Sequence, residues 1–285
     1  MILVLGASGQ IASELKRLPG VATVGRPDID FCHLASISDV IEGVRPSAVI
    51  NAAAYTAVDT AEIEAEVAHL INVLAPGEVA RVCRALNIPL LHISTDYVFD
   101  GRKTCPYLPD DQCNPLGVYG ASKRAGELAI SASGCRHAIL RTSWVFSRHG
   151  SNFVKTMLRL GRERRRLSVV CDQFGGPTSA GSIAMCCFEI AKHMVADRQC
   201  GGIFHFSGAP AVSWFEFAAE IFRFSSLDVA LTPISTAQYP VKATRPSYSV
   251  LDCQTTCDMF GVVQPDWRVD LFSVLSELGE VNGAA

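Results

Sequence analysis

Eleven cysteines are present in the 285-residue chain, yet no two form a CxxC pair and none shares a metal-ligand spacing with histidine. That argues against a zinc ribbon or a thioredoxin-type motif. The odd count fits a reduced setting better than a disulfide framework. No apolar run reaches the ~18 residues that a membrane span needs. No basic surplus exists: 25 Lys and Arg face 28 Asp and Glu, for a net charge of −3. A nucleic-acid surface is therefore not expected, and no acidic tail appears. Repeats and low-complexity linkers are missing too. Met1–Leu5 carries no charged leader and is far too short for a signal peptide, so the expectation is a soluble cytoplasmic protein with no membrane association. What is present is core-forming material, 49% apolar against 19% charged, enough for one large α/β domain or two lobes.

Short apolar runs alternate with helical patterns through the first half. Strands are expected at Ile2–Leu5, Val21–Val24, Ala48–Asn51, Pro89–Ile93 and His137–Arg141. Several are apolar at consecutive positions, as suits parallel strands buried on both faces. Helices are expected at Gln10–Leu18, Ser36–Val44, about Ala61 to Leu86, and Pro115–Ser131, with Pro76-Gly77 interrupting the long one. This alternation predicts a Rossmann-type, doubly wound parallel sheet. After about residue 144 the rhythm changes. Helices at Asn152–Gly161, Ser179–Val195 and Ser213–Phe224, short strands at Leu167–Val170 and Ile203–Phe206, and loops around Pro233, Pro240 and Pro246 read as a smaller C-terminal α/β lobe. The division is a dinucleotide-binding domain over 1–144 and a mainly substrate-binding lobe over 145–285. The basic run Arg162–Arg166 reads as a solvated helix C-terminus rather than a phosphate patch.

Gly6-Ala7-Ser8-Gly9-Gln10-Ile11 follows the first strand and opens the first helix, where a dinucleotide pyrophosphate sits in such folds. Gly6 permits the tight turn, and Gly9 lets backbone approach a phosphate. After the second strand, Arg26 precedes Asp30 and Phe31. An arginine there accepts a 2′-phosphate, so NADPH is expected over NADH, whose use stays open. Asn51-Ala52-Ala53-Ala54-Tyr55-Thr56 supplies a small-residue floor for a cofactor.

His92-Ile93-Ser94-Thr95-Asp96 leaves the fourth strand at the sheet's carboxyl edge. Thr95 is placed to bond a reacting carbonyl, and Asp96 to accept from a sugar hydroxyl. Tyr119 and Lys123 lie one helical turn apart, so an ammonium beside a phenol is expected to lower the pKa of the tyrosine and make it a proton donor near neutrality. Hydride transfer to a ketone with proton transfer from Tyr119 is the chemistry these pieces serve.

The segments NAAAYTAVDTAE (51–62), STDYVFDG (94–101), NPLGVYGASKRAGE (114–127), RTSWVFS (141–147), DQFGGPTSA (172–180) and RPSYSVLD (245–252) resemble the dTDP-4-dehydrorhamnose reductase family of extended short-chain dehydrogenases. The resemblance implies a cytoplasmic reductase that converts dTDP-4-dehydro-L-rhamnose to dTDP-L-rhamnose with NADPH. It implies cofactor contacts from Gly6, Gly9, Gln10, Ile11, Arg26, Asp30, Phe31, Ala54, Tyr55, Thr56, Tyr119 and Lys123. Thr95, Asp96 and Trp144 would meet the sugar, and Arg245 the nucleotide diphosphate. Tyr119, Lys123 and Thr95 would be catalytic. Some members dimerise around Mg²⁺ held by glutamates. Glu14 and Glu277 match such positions, but no third carboxylate is evident, so no metal is predicted and the state is monomer or homodimer. The alternatives are another nucleotide-sugar reductase or epimerase, or a non-catalytic nucleotide-binding regulatory subunit. A dehydratase is disfavoured, because Asp96-Tyr97 is not an Asp-Glu pair.

Overall fold

The computed structural model describes residues 1–197 and 199–281. Six parallel strands form the central sheet: β1 (Ile2–Leu5), β2 (Val21–Val24), β3 (Ala48–Asn51), β4 (Leu90–Thr95), β5 (His137–Thr142) and β6 (Gly202–His205), in the order β6-β5-β4-β3-β1-β2. Alternation along each strand loads both faces. Ile2, Val4, Ile50, Leu91 and Ile93 point to one side, into a cluster with Leu15 of helix Gln10–Leu15 and Ile183, Cys187 and Ile190 of helix Ala180–Ala196. Leu3, Leu5, Val49 and Leu90 point to the other, against Ile37 and Ile41 of helix Leu34–Val44 and Val79 and Val82 of helix Ala75–Ala85. Burial on both faces explains the near-continuous apolar runs.

The sixth strand comes from the second half of the chain. Between β5 and β6, and again after β6, the chain builds a separate core. Helices Phe153–Glu163, Trp214–Ser225 and Trp267–Glu277 bury Val154, Leu158, Phe217, Ile221, Trp267 and Leu271 together. Strand Arg166–Val170 pairs in parallel with Ala230–Ile234. Pro233, expected in a loop, lies in that second strand opposite Val169. A two-stranded ribbon is all edge, and an edge tolerates a residue with no N–H. Helices Gln254–Phe260 and Trp267–Glu277 also went unread.

The long helical stretch departs from its simplest reading. Val58–Ala61 is a separate short turn. Ala65–His69 then runs through a π-helical turn, Leu70–Leu74, directly into Ala75–Ala85. Pro76 follows the π turn inside that continuous run, so the N–H it lacks leaves a helical bond unmade next to the widened turn. The widened π turn carries Asn72, and Asn72 serves the site described below.

Gly126 marks the tightest contact between helices. A Cβ there would stand 2.0 Å from the Asn72 carbonyl oxygen. Gly43, on the exposed side of Leu34–Val44, meets nothing within 4 Å. We expect Gly126→Ala to cost about 1–3 kcal/mol or more through overpacking. Gly43→Ala should be neutral or stabilising by up to ~1 kcal/mol. Urea unfolding of the two variants checks both signs.

Candidate active site

Helix Val118–Ala132 delivers the Tyr119 and Lys123 side chains to the carboxyl ends of β4 and β5. It begins three residues later than expected from Pro115. Gly117 is still extended, and the Val118 N–H donates to Glu62 Oε1 at 2.8 Å. Gly120 explains how the helix gets so close to β4: a Cβ there would lie 2.1 Å from the Tyr97 carbonyl oxygen. Two turns on, Glu127 is wholly buried and anchors the helix. It accepts from Ser94 Oγ at 2.6 Å, from Arg141 Nε and Nη2 at 2.9 and 2.8 Å, and from Arg124 Nη1 at 2.8 Å. Burial opposes its ionisation, yet Arg141, Ser94 and Arg124 outweigh that and hold the carboxyl below its usual range.

Thr95, Asp96 and Tyr119 come together as expected. Thr95 Oγ1 donates to Asp96 Oδ1 at 3.1 Å and accepts from the Tyr97 N–H at 3.2 Å. Burial pushes the Tyr119 hydroxyl up to about 12, while a hydrogen bond with Thr95 pulls the other way. Burial likewise pushes the Asp96 carboxyl up to about 7. Among the described residues its second oxygen, Oδ2, is buried with no partner within hydrogen-bond distance, although Ser249 is near enough to oppose the upward shift, and Thr142 Oγ1 at the end of the neighbouring strand is likewise unpartnered. Two unsatisfied polar atoms at one sheet end mark a place where a polar partner from outside the chain would lower the cost of burial.

Lys123 has its own partners in this structure. Its Nζ is bonded to the Ile93 carbonyl at 2.7 Å and to His92 Nε2 at 3.1 Å, on the floor of the site. Burial lowers it to about 8, with Glu127 acting weakly in the opposite direction. The phenol is therefore not lowered by an adjacent ammonium in this arrangement. Desolvation dominates both groups.

At the cofactor end, Gly6 has φ +106°, reserved in practice for glycine, and a Cβ there would meet the Ala53 amide at 3.2 Å. The alanine segment thus packs directly on the turn. Gly9 faces open space, with nothing within 4 Å of a Cβ. That contrast fits a dinucleotide: the turn is closed on the protein side and open in front. Gln10 is spent inside the protein, accepting from Ser147 Oγ and Asn152 Nδ2 at 2.8 Å each, and Ile11 packs on the core. Arg26 is exposed and reaches Asp30 at a loose 3.4 Å, while Phe31 packs under the loop. Asn72, freed by the π turn, accepts from the Tyr55 N–H at 2.9 Å and donates to the Tyr55 carbonyl and to Ser122 Oγ at 3.0 Å each. It clamps the Ala54–Thr56 backbone to the catalytic helix.

A cavity of about 980 Å³ opens beside Tyr97, between helix Phe153–Glu163, Trp214 and strand Arg166–Val170. Trp144 lies behind it, stacked on Trp214 with ring centroids 3.4 Å apart and planes 5° apart. Arg245 borders the cavity, but its guanidinium is clamped on Asp59 at 2.6 and 3.1 Å. Arg164 and Arg166 line the same space. The basic run is therefore only partly the solvated helix end it reads as. Elsewhere, Glu14, Glu189 and Glu277 border one groove of about 420 Å³. Arg17 sits between Glu14 and Glu277, at 2.8 and 3.9 Å. Glu189 and Asp270 are further carboxylates on that groove which the sequence did not single out. Among the described residues no group of three or more such side chains is close enough to hold a metal ion.

A family model described as the RmlD substrate binding domain matches residues 1–280. A dTDP-4-dehydrorhamnose reductase of Sinorhizobium fredii is 40% identical over 277 residues, covering 94% of each chain. The chain belongs to the dTDP-4-dehydrorhamnose reductase family. The reductase of Escherichia coli K12 is 37% identical over 97% of each chain. Among solved structures, a Bacillus anthracis dTDP-4-dehydrorhamnose reductase in complex with NADP superposes with a TM-score of 0.90 at 34% identity, covering 97% of this chain and 98% of that one. A UDP-glucose 4-epimerase from Brucella ovis, at 18% identity and a TM-score of 0.81, shares the fold alone.

For this member of the dTDP-4-dehydrorhamnose reductase family, three site residues escaped the sequence reading. His92 and Glu127 are polar residues in buried surroundings, and that incongruity was the available signal. Asn72 had none, because a π turn leaves no periodic trace. The lone Asp96 oxygen yields a test. Its folded-state pKa, about 7, lies above the unfolded value, so the folded protein holds that proton more tightly. The stability this contributes is present below ~4 and lost as pH rises through 7. Asp96→Asn should therefore melt higher than the parent at pH ~8, with the gap closing toward pH ~4. Thermal melts across that range check it.

Proposed function

We propose that this chain reduces the C4 ketone of dTDP-4-dehydro-L-rhamnose to the alcohol of dTDP-L-rhamnose, with NADPH as reductant. The observation that carries the reading is the meeting of Thr95, Asp96 and Tyr119 at one end of the sheet, in a chain 40% identical to a protein named for that activity. When bound, NADPH supplies the hydride to C4. Tyr119 delivers its phenolic proton to the C4 oxygen. Thr95 turns its single hydroxyl hydrogen from Asp96 Oδ1 to the same oxygen and orients it. Asp96 accepts a sugar hydroxyl on the oxygen that has no partner among the described residues. Lys123 binds ribose hydroxyls and supports the charge left on Tyr119.

The cofactor is held by the Gly6–Ile11 turn, the Ala54–Thr56 backbone, and Arg26 with Asp30 and Phe31 at its adenosine end. Residues 1–144 serve as the dinucleotide domain, and 145–285 mainly as the substrate lobe. Trp144 presents an aromatic wall to the sugar through its stack with Trp214. Arg245 steadies the segment around Tyr97 and meets the diphosphate only by exchanging its Asp59 partner, whereas Arg164 and Arg166 have no such clamp among the described residues. The setting is the cytoplasm, and no helix of the described chain is long and apolar enough to cross a membrane.

Purified protein mixed with dTDP-4-dehydrorhamnose and NADPH should consume the nicotinamide absorbance and yield dTDP-rhamnose. Tyr119→Phe should slow turnover by about 10²–10⁴ with little change in cofactor affinity. Turnover in Tyr119→Phe equal to the parent's would refute the assignment. Arg26→Ala should raise KM for NADPH while leaving that for NADH near its starting value, because the guanidinium acts on the 2′-phosphate. Steady-state kinetics with each reductant decides this.

A further inference from the structure

Lys123 has two partners among the described residues, and neither is a carboxylate. One is the Ile93 carbonyl, an acceptor; the other is His92 Nε2 at 3.1 Å. The far side of that ring is what matters. His92 Nδ1 lies 3.1 Å from Asn51 Nδ2. The Asn51 amide has its orientation set by its own oxygen, which accepts from the Ala53 N–H at 3.2 Å. Turning the amide over would bring its NH₂ against that N–H, donor against donor. So Asn51 presents a donor to Nδ1, and Nδ1 must hold a lone pair. The imidazole proton then sits on Nε2 and points at Lys123. An ammonium has no lone pair to receive it, whereas an uncharged amine does, with two hydrogens left for Ile93 and its surroundings.

We propose that His92 is a positioning residue for Lys123: in alkaline solution its Nε2–H donates to the uncharged amine and holds it on the floor of the site. This rests on reading Tyr119 and Lys123 as the working pair. The neighbouring charges agree. Glu127, one turn along the same helix, has its carboxylate taken up by Arg141, Arg124 and Ser94, so it is no counter-ion for Lys123. From the adjacent strand β5, His137 acts on His92 with the same sign as Lys123 does. Burial keeps His92 neutral and lowers Lys123 to about 8. An uncompensated ammonium here would be expensive. Above pH ~8, bringing Lys123 into service as a cation therefore takes up one proton from solvent onto Nζ and gives up the hydrogen bond from His92 Nε2–H, with no other covalent bond formed or broken.

Two measurements test this. In the nucleotide-free protein, ¹⁵N spectra of histidine, assigned through backbone connectivity, report the ring tautomer directly. At pH ~9 His92 should be the neutral Nε2–H form. Finding Nδ1–H, or an imidazolium, overturns the proposal whatever the enzyme does. Calorimetry of NADPH binding in buffers of differing ionisation enthalpy then counts protons. Uptake should approach one per site at pH ~9 and fall to about a tenth near pH ~7. The 2′-phosphate titrates near ~6, and any proton it releases has the opposite sign. In His92→Gln, whose amide oxygen can accept from an ammonium, the uptake at pH ~9 should drop by more than half. Unchanged uptake in that variant also overturns the proposal. If His92→Gln does not fold, the tautomer of the parent decides. An Nε2–H ring in a protein that binds no NADPH would sink the functional reading and leave this one standing.

Discussion

The buried carboxylate of Glu127 is the point on which the site depends. A fully desolvated charge is tolerable only when its lone pairs are satisfied, and here Arg141, Arg124 and Ser94 supply four bonds from three different parts of the chain. Ser94 comes from β4, Arg141 from β5, and Glu127 from the helix above them. The ion pair therefore sets both the height and the rotation of that helix over the strand ends. Tyr119 and Lys123 inherit their positions from it, two turns and one turn away. Removing one partner alone would strand the other charge, at a cost of about 3–5 kcal/mol. Such a pair is a device for geometry more than for net stability.

Around that anchor, close approach of backbones does what side chains do elsewhere. Gly120 lets the helix rest on the Tyr97 carbonyl, and Gly126 lets it rest on the π turn. The π turn in its own right lifts Asn72 out of register, so that one amide side chain bonds both Tyr55 backbone groups and Ser122. The cofactor floor and the catalytic helix are thereby tied to each other and not just to the sheet. A motif that reads as a tyrosine and a lysine with small residues between them is, physically, a tyrosine and a lysine on a helix made thin enough to sit there.

The strands and most helices were legible because burial on two faces leaves continuous apolar runs and amphipathic stripes leave a 3.6-residue period. What was not legible had no periodic trace. Pro233 hides a strand that survives only as one side of a ribbon, and the π turn ends just before Pro76-Gly77, a pair that reads as an interruption but not as a widened turn. At the site, the residue types and their order pointed to Thr95, Asp96 and Tyr119, and these converge. The pairing of charges did not follow from order. Spacing placed Lys123 one turn from Tyr119, but desolvation and the His92 ring decide where its amine rests. Arg245 shows the same limit: a guanidinium near a nucleotide site in sequence is held by Asp59 in space.

Trp144 and Trp214 are two of only three tryptophans in the chain, and they lie face to face, with Trp214 on the wall of the large cavity. The third, Trp267, is fully buried in the core of the second lobe and bonds the Pro210 carbonyl. The chain's intrinsic emission is thus divided between one interior ring remote from solvent and a stacked pair at the cavity wall. A sugar nucleotide entering that space would alter the pair's surroundings and leave the third ring as an internal standard. The molecule carries its own optical gauge of occupancy, and no label is needed to read it.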